Sequence, residues 1–255
     1  MPRILKQIDE INPDVLCLQE ARKVEAEAFK NELETRGYAI VLSPINDTPL
    51  AATLITAYKK DTFIADETKC WWYNDEQSPD IQGGNAWYKW GRILTAVSLH
   101  KLKNGVKDET SEPLVVSNTH LGVARDEKTF SIHLALKLLE RFQQQKIVWC
   151  GDFNFFADDG GVEHKKLITD AGYQDCLQHP KDEDGNQLSG TFVGYSVDKF
   201  APQTKSTLSL LDGIFTKNIE AQAATCMVAV ELTEDLSNRD LLPSDHFPIY
   251  TKVTC

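Results

Sequence analysis

Acidic, amide and imidazole side chains gather at the ends of apolar runs along this chain. Leu16-Cys17-Leu18-Gln19-Glu20 closes on a carboxylate, and Val115-Val116-Ser117-Asn118-Thr119-His120 closes on an amide and an imidazole. Ile147-Val148-Trp149-Cys150-Gly151-Asp152-Phe153-Asn154 ends in a second carboxylate and a second amide. Leu210-Leu211-Asp212-Gly213-Ile214-Phe215 holds an acid inside an apolar run, and Ser244-Asp245-His246 sits just before Pro248-Ile249. Strand ends are rigid places from which several side chains can converge on one ligand. Taken singly, each segment has a plain explanation: a helix cap for Glu20, a hydrogen-bonded structural histidine for His120, a turn for Asp152-Phe153-Asn154. Asp212 resists that explanation, because a carboxylate between Leu211 and Ile214-Phe215 is partly buried and needs a partner such as an imidazole or a metal ion.

The elements that must position these residues can be read from periodicity. Ile4, Leu5, Ile8 and Ile11 share one helical face, and Asn12-Pro13 stops that helix before the strand 14–19. A second helix over 25–36 ends at Gly37, followed by strands at 38–42, 51–58 and 92–100. Strands at 114–119 and 147–150 flank a helix carrying Ile132, Ala135, Leu136, Leu139 and Phe142, which is spaced to pack on a sheet. The last third predicts strands at 210–216, 223–232 and 248–253, and the polar stretches 73–84, 103–112 and 179–190 read as surface loops. Strands far outnumber crossover helices, which favours two packed sheets with helices outside over a plain doubly wound sheet. The 255 residues are expected to form a single domain, 1–255.

Composition narrows the function classes. No apolar run approaches the ~20 residues of a membrane span, and the start, Met1-Pro2-Arg3-Ile4-Leu5-Lys6-Gln7, lacks the apolar stretch of a secretory signal, so a cytoplasmic location is expected. The six cysteines lack C-x-x-C spacing and read as free thiols rather than a disulfide frame or a zinc site. With 38 acidic against 27 basic residues and a formal charge of −11, a long polyanion such as duplex DNA is disfavoured as a partner, though not excluded.

In chain order, Gln19-Glu20, Asn118-Thr119-His120, Gly151-Asp152-Phe153-Asn154, Asp212 and Ser244-Asp245-His246 resemble the marks of the endonuclease/exonuclease/phosphatase superfamily, over almost the whole chain. Trp71-Trp72-Tyr73, the stretch 87–92 and Gly190-Thr191-Phe192-Val193-Gly194-Tyr195 look like a bacterial-type branch of it. The resemblance implies a DNase I-like α/β fold: two mixed β-sheets packed face to face with helices on the outside, a four-layer α/β/β/α sandwich. It also implies a strand carrying an Asn before the first helix, whereas the sequence given begins at that helix, so that either the start lies upstream or the site is thinned, and an Arg shortly before the strand Asp, where Ser209-Leu210-Leu211 stands instead.

The implied activity is hydrolysis of a phosphoester by in-line attack of water, assisted by Mg²⁺ or Mn²⁺. Glu20 is the expected main metal ligand and Asp245 a second, since a hard cation that keeps several waters requires only one or two carboxylates. By the same resemblance Asp152 orients or deprotonates the water, while Asn154, Asn118 and His120 hold phosphate oxygens. His246 binds phosphate or moves a proton, oriented by Asp212. The aromatic residues Trp71, Trp72, Tyr73, Trp87, Tyr88 and Trp90 either rim the site or pack beneath a long loop. A phosphorylated small molecule or a lipid headgroup is the preferred substrate. A nuclease or DNA-end-processing phosphodiesterase is the enzymatic alternative, and a catalytically silent binding module the alternative of another class.

Overall fold

The computed structural model describes residues 1–74, 79–86, 91–156, 160–178, 180–192, 209–227 and 244–254. Helix α1 (Pro2–Ile11) opens the chain and turns Leu5 and Ile8 inward. It ends where Asn12 takes a left-handed conformation and donates its N–H to Ile8 O, an ending that Asn tolerates better than most residues. Strand β1 (Val15–Arg22) leads into α2 (Lys23–Thr35), then β2 (Tyr38–Pro44) and β3 (Ala52–Lys59). These strands form an antiparallel sheet in the order β1-β3-β2, with β1 paired to β3 alone among the described strands.

The larger sheet is mixed. Strands β4 (Phe63–Trp72), β5 (Ile93–Lys103) and β7 (Leu114–His120) run antiparallel in sequence, and β7 then pairs in parallel with β8 (Lys146–Asp152) across the helix α3 (Arg125–Leu139). Helix α4 (Gly161–Asp170) follows, and the sheet closes with β10 (Asp212–Lys217) between β8 and the short β9 (Gln174–Asp175). The two-residue β6 (Val106–Lys107) hangs off β5. Separately, β11 (Thr225–Cys226) pairs with β12 (Ile249–Tyr250).

Alternation along the strands builds the layers. Val97, Leu99, Leu114 and Val116 face the smaller sheet and pack with Val15, Cys17, Val41 and Tyr58. Their neighbours Leu94, Ala96, Val115, Ile147 and Trp149 face the other way, against Ile132, Leu134, Ala135, Leu139 and Ile168 of α3 and α4. On the outside of the smaller sheet, α1 and α2 contribute Leu5, Ile8, Ala26, Phe29 and Leu33 to a third cluster. Each fully buried Leu, Ile or Phe contributes about 1.5–3 kcal/mol, so three such contacts between layers hold the four-layer order expected from the sequence.

Several expectations meet a different outcome. Strand β4 was not anticipated, because the half-buried side of its middle is made by Glu67 and Lys69, alternating with exposed Asp66 and Thr68, and so lacks an apolar stripe. Helix α4 was also missed, since its buried positions include Gly161 and His164. The anticipated strands over 223–232 and 248–253 shrink to β11 and β12 among the described residues, and 228–232 lies outside them. Trp71 and Tyr73 are buried and join the core under α3, so they do not rim a site. Tyr73 hydroxyl pairs with Thr119 Oγ1 at 2.9 Å, and Trp87, Tyr88 and Trp90 lie outside the described residues. Cys17, Cys70, Cys150 and Cys176 are free thiols.

Candidate active site

Register across the larger sheet sets the site. His120 ends β7 opposite Asp152 in β8, and Asp152 in turn lies opposite Asp212 at the start of β10. Three ionisable side chains therefore stand in one row at the same end of adjacent strands. Gly151 makes the close approach possible: a Cβ there would sit 1.9 Å from Thr119 O, and the residue has φ of 149°, which L side chains rarely adopt.

Glu20 comes from the other sheet. The pairing of β1 with β3 slips between Leu18 and Ala21, and within that bulge Glu20 has φ of 61°. A non-glycine residue in the left-handed region costs about 1–2 kcal/mol, which the surrounding sheet must hold in place. The bulge re-aims Glu20 toward the row, where Oε1 lies 3.7 Å from His120 Nε2.

The central acid, Asp152, is tightly framed. Asn154 donates its backbone N–H to Oδ1 at 2.9 Å, while Oδ2 lies 3.4 Å from His120 Nε2 and 3.8 Å from His246 Nε2. Burial, and then the neighbouring Asp212, push its carboxyl up to about 7, with His246 and the Asn154 N–H pulling the other way and Glu20 adding to the rise.

His246 is brought in by a backbone splice. Phe247 N–H donates to Thr191 O, and Phe192 bridges to His246. Its ring Nδ1 donates to Asp212 Oδ2 at 2.8 Å, and the same oxygen accepts from the Thr191 hydroxyl. Burial works against the charged ring, but Asp212, then Asp152 and Asp245, outweigh it and push His246 up to about 9. The ring is an imidazolium at neutral pH. The partner demanded by a buried Asp212 is thus His246, as anticipated, together with Thr191, which was not.

His120 has the opposite setting. Arg92 donates to its Nδ1 at 2.9 Å, and burial, then Arg92 and His246, hold the ring well below its usual range. Sequence reasoning missed Arg92, although it occupies the kind of position used for the others, a polar residue abutting the apolar strand that begins at Ile93.

The two amides are held in different ways. Asn118 is fully buried between the sheets: its Oδ1 accepts from Gln19 Nε2 at 2.8 Å, and its Nδ2 donates to Ile55 O at 3.0 Å and Leu18 O at 3.3 Å. It ties β7 to β1 and β3 and does not face the row of acids. Asn154 commits its Nδ2 to Leu121 O at 2.9 Å and accepts from the buried Lys128 at its own carbonyl, at 2.8 Å, so it stands beside Asp152 as a fixed turn. Asp245 is half-buried next to His246, with its Oδ1 taking a hydrogen bond from Ser244 Oγ at 3.3 Å.

Residues 2–246 match the model of the Endonuclease/Exonuclease/phosphatase family. The chain belongs to this family. No curated protein matches it. Among solved structures, a member of the endonuclease/exonuclease/phosphatase family from Bacteroides thetaiotaomicron is similar over 99% of this chain and 87% of its own, at 18% identity and a TM-score of 0.75. A mannosyl-6-phosphatase from Bacteroides thetaiotaomicron VPI-5482 is similar over 100% and 90%, at 18% identity and a TM-score of 0.74. D. rerio TDP2 complexed with a single-strand DNA product is similar over 100% and 91%, at 16% identity and a TM-score of 0.67. At these identities the likeness is one of fold, and that fold is DNase I-like. Members of the endonuclease/exonuclease/phosphatase family are hydrolases of phosphoester bonds and generally use divalent metals.

The acids in the cleft fit such an ion by charge rather than by a ready cage. Among the described residues no three His, Cys, Asp or Glu side chains form a metal cluster. A magnesium-type ion does not require one, because it keeps several waters and takes one or two carboxylates. Glu20 is 66% exposed, and its neighbour His120 is held neutral, so its charge is left for a hard cation. No described helix is long and apolar enough to cross a membrane.

Proposed function

We propose that this chain is a divalent-metal-dependent phosphoesterase that cleaves by in-line attack of water, on a small or medium phosphorylated substrate. The observation that carries the reading is the row Glu20, His120, Asp152, His246, Asp212, in which a carboxylate pushed up to about 7 stands between a neutral and a charged imidazole. A general base works best when its pKa lies near the operating pH. Burial and the neighbouring Asp212 push Asp152 toward that range. Its Oδ1 is held by Asn154 N–H, so Oδ2 takes the proton of the attacking water.

His246 supplies positive charge. With Nδ1 bound to Asp212, its Nε2–H donates to a phosphoryl oxygen or to the leaving oxygen, and Thr191 and Asp212 keep the ring from turning. His120 donates to a second phosphate oxygen through Nε2. Asn118 serves by holding the sheets together, and Asn154 by fixing Asp152. Glu20 would hold Mg²⁺ or Mn²⁺, with Asp245 as a second ligand. When bound, the ion draws charge from a phosphoryl oxygen and stabilises the leaving oxygen.

A small phosphoester is favoured over duplex DNA. A duplex track needs several unpaired cations, but Lys59 lies 3.7 Å from Asp14, Lys165 3.2 Å from Asp175 and Lys166 2.6 Å from Asp170. The fold relative with a mannosyl-6-phosphatase name supports a sugar phosphate as a first candidate, and the one bound to single-strand DNA product keeps nucleic-acid ends in the comparison. Turnover of phosphorylated sugars, nucleotides, inositol phosphates, lipid headgroups and single- and double-stranded DNA, each with Mg²⁺, Mn²⁺ or EDTA, tests the reading. Metal-dependent hydrolysis of at least one small ester is expected. Cleavage of duplex DNA at physiological salt with no small ester hydrolysed would make the nuclease reading the better one, and no turnover of any substrate would favour a silent binding module.

A further inference from the structure

Arg92 belongs to none of the roles above, yet its guanidinium lies 2.9 Å from His120 Nδ1 and lines the same cleft as Glu20 and His120. A guanidinium has five N–H donors and no acceptor, and it does not lose its proton in proteins. The ring nitrogen facing it must therefore be the acceptor. If Nδ1 accepts, the single proton of a neutral imidazole resides on Nε2, the nitrogen that looks toward Asp152 Oδ2 at 3.4 Å and Glu20 Oε1 at 3.7 Å. In their ionised forms both carboxylates only accept, and Asp152 must be in that form to take a proton from water.

Arg92 also has a buried acid within electrostatic reach. Glu127 of α3 is 2% exposed, and burial raises its carboxyl while Arg92, then Lys128, act as the opposing charges. Room for that carboxylate is made by Gly122, where a Cβ would lie 1.7 Å from Glu127 Oε2. A buried carboxylate so placed has a reason to keep a cation at the top of β5, since an unpaired buried charge is costly.

We propose that Arg92 is a positioning residue that fixes His120 as the neutral Nε2–H tautomer, making it a hydrogen-bond donor into the cleft. His120 is then excluded as the base that activates water, and that role is left to Asp152. The arrangement parallels the one on the far side of Asp152 with the sign reversed: a cation orients His120, a carboxylate orients His246. The kinetic part of this inference rests on the phosphoesterase reading, whereas the tautomer does not.

The test is ¹⁵N NMR of histidine-labelled protein without metal or substrate, with His120→Gln used to assign the ring, alongside Arg92→Gln and Arg92→Lys. The wild-type ring is expected to show the neutral Nε2–H pattern near neutral pH. Arg92→Gln should give mixed tautomers and Arg92→Lys should restore part of the original, because an ammonium also donates only. On whichever substrate the panel yields, Arg92→Gln should lower kcat by about 10–100-fold, typical for a group that orients a site residue, with partial recovery in Arg92→Lys. A wild-type His120 in the Nδ1–H or doubly protonated form would overturn the assignment, even if the variants fold poorly. So would an unchanged tautomer in Arg92→Gln, or a loss confined to KM, which would make Arg92 a substrate contact. Failure of every substrate, with the tautomer results as expected, would count against the phosphoesterase reading alone.

Discussion

The two flanks of the cleft carry the same side chain in opposite states. On the flank built by β1, β5 and β7, His120 lies against Arg92 and is held neutral; on the flank built by β10 and the Thr191 segment, His246 lies against Asp212 and is held charged. Burial disfavours the imidazolium on both sides and is the largest cause at His120, where Arg92 and His246 add to it; at His246 the carboxylates of Asp212, Asp152 and Asp245 outweigh it. One residue type thereby fills two roles on either side of Asp152, a neutral donor and a cation, much as environment separates paired carboxylates in other hydrolases.

Removing the divalent ion should erase the comparison altogether, because the surplus of acids would then repel a phosphate whatever the histidines do. Turnover is expected to vanish in EDTA and return with Mg²⁺ or Mn²⁺, and Glu20→Gln should raise the metal concentration for half-maximal rate. Full activity in EDTA would sink the mechanism.

Breaking the centre or the charged flank comes next. Asp152→Asn and His246→Ala should each lower kcat by at least ~10²-fold, in the range of acid–base and electrostatic losses, with the fold intact by circular dichroism. Near-normal kcat in either variant would remove that residue from the chemistry.

Asp212→Asn sharpens the comparison rather than abolishing it. Asp212 raises His246, so its neutralisation lowers the ring's pKa, and the falling limb of the rate profile, set near 9, should move to lower pH. The loss in kcat at the optimum should stay below the ~10²-fold of the His246 variant. The same shift has a stability signature. His246 in the fold lies above its ordinary value of ~6.5, so its stabilising effect is complete below that value and fades as pH rises through about 9. Denaturant titrations should show that decline in the parent and a weaker one in Asp212→Asn. A profile identical to the parent at every pH would refute the orienting role of Asp212.

The smallest effect on chemistry is expected at Asn118, which joins the flanks without facing the row. Asn118→Ala leaves Gln19 and Ile55 O without their partner and should cost about 1–3 kcal/mol of unfolding free energy, with KM little changed. A large rise in KM at unchanged stability would return Asn118 to phosphate binding.

Much of the site was legible in sequence because apolar runs announce strands, and the residue closing a strand announces itself by its type. Glu20, His120, Asp152 and Asp212 could be read that way, and burial of Asp212 in an apolar run already required a partner. The α/β/β/α order was legible for the same reason, since period-two and period-3.6 patterns state which faces must be covered. Four things depended on tertiary structure. Strand β4 and helix α4 lacked a clear stripe, so their pairing partners defined them. Arg92 and Thr191 act through His120 and Asp212, which lie 28 and 21 positions away, a distance that no local pattern spans. Asn118 carries the residue type of a phosphate ligand, yet the sheet packing turns its amide onto Gln19 and Ile55. The protonation states of the two histidines were undecided for the most general reason: a pKa answers to the charges within a few ångströms in space, and only the folded register of β5, β7, β8 and β10 brings those charges together.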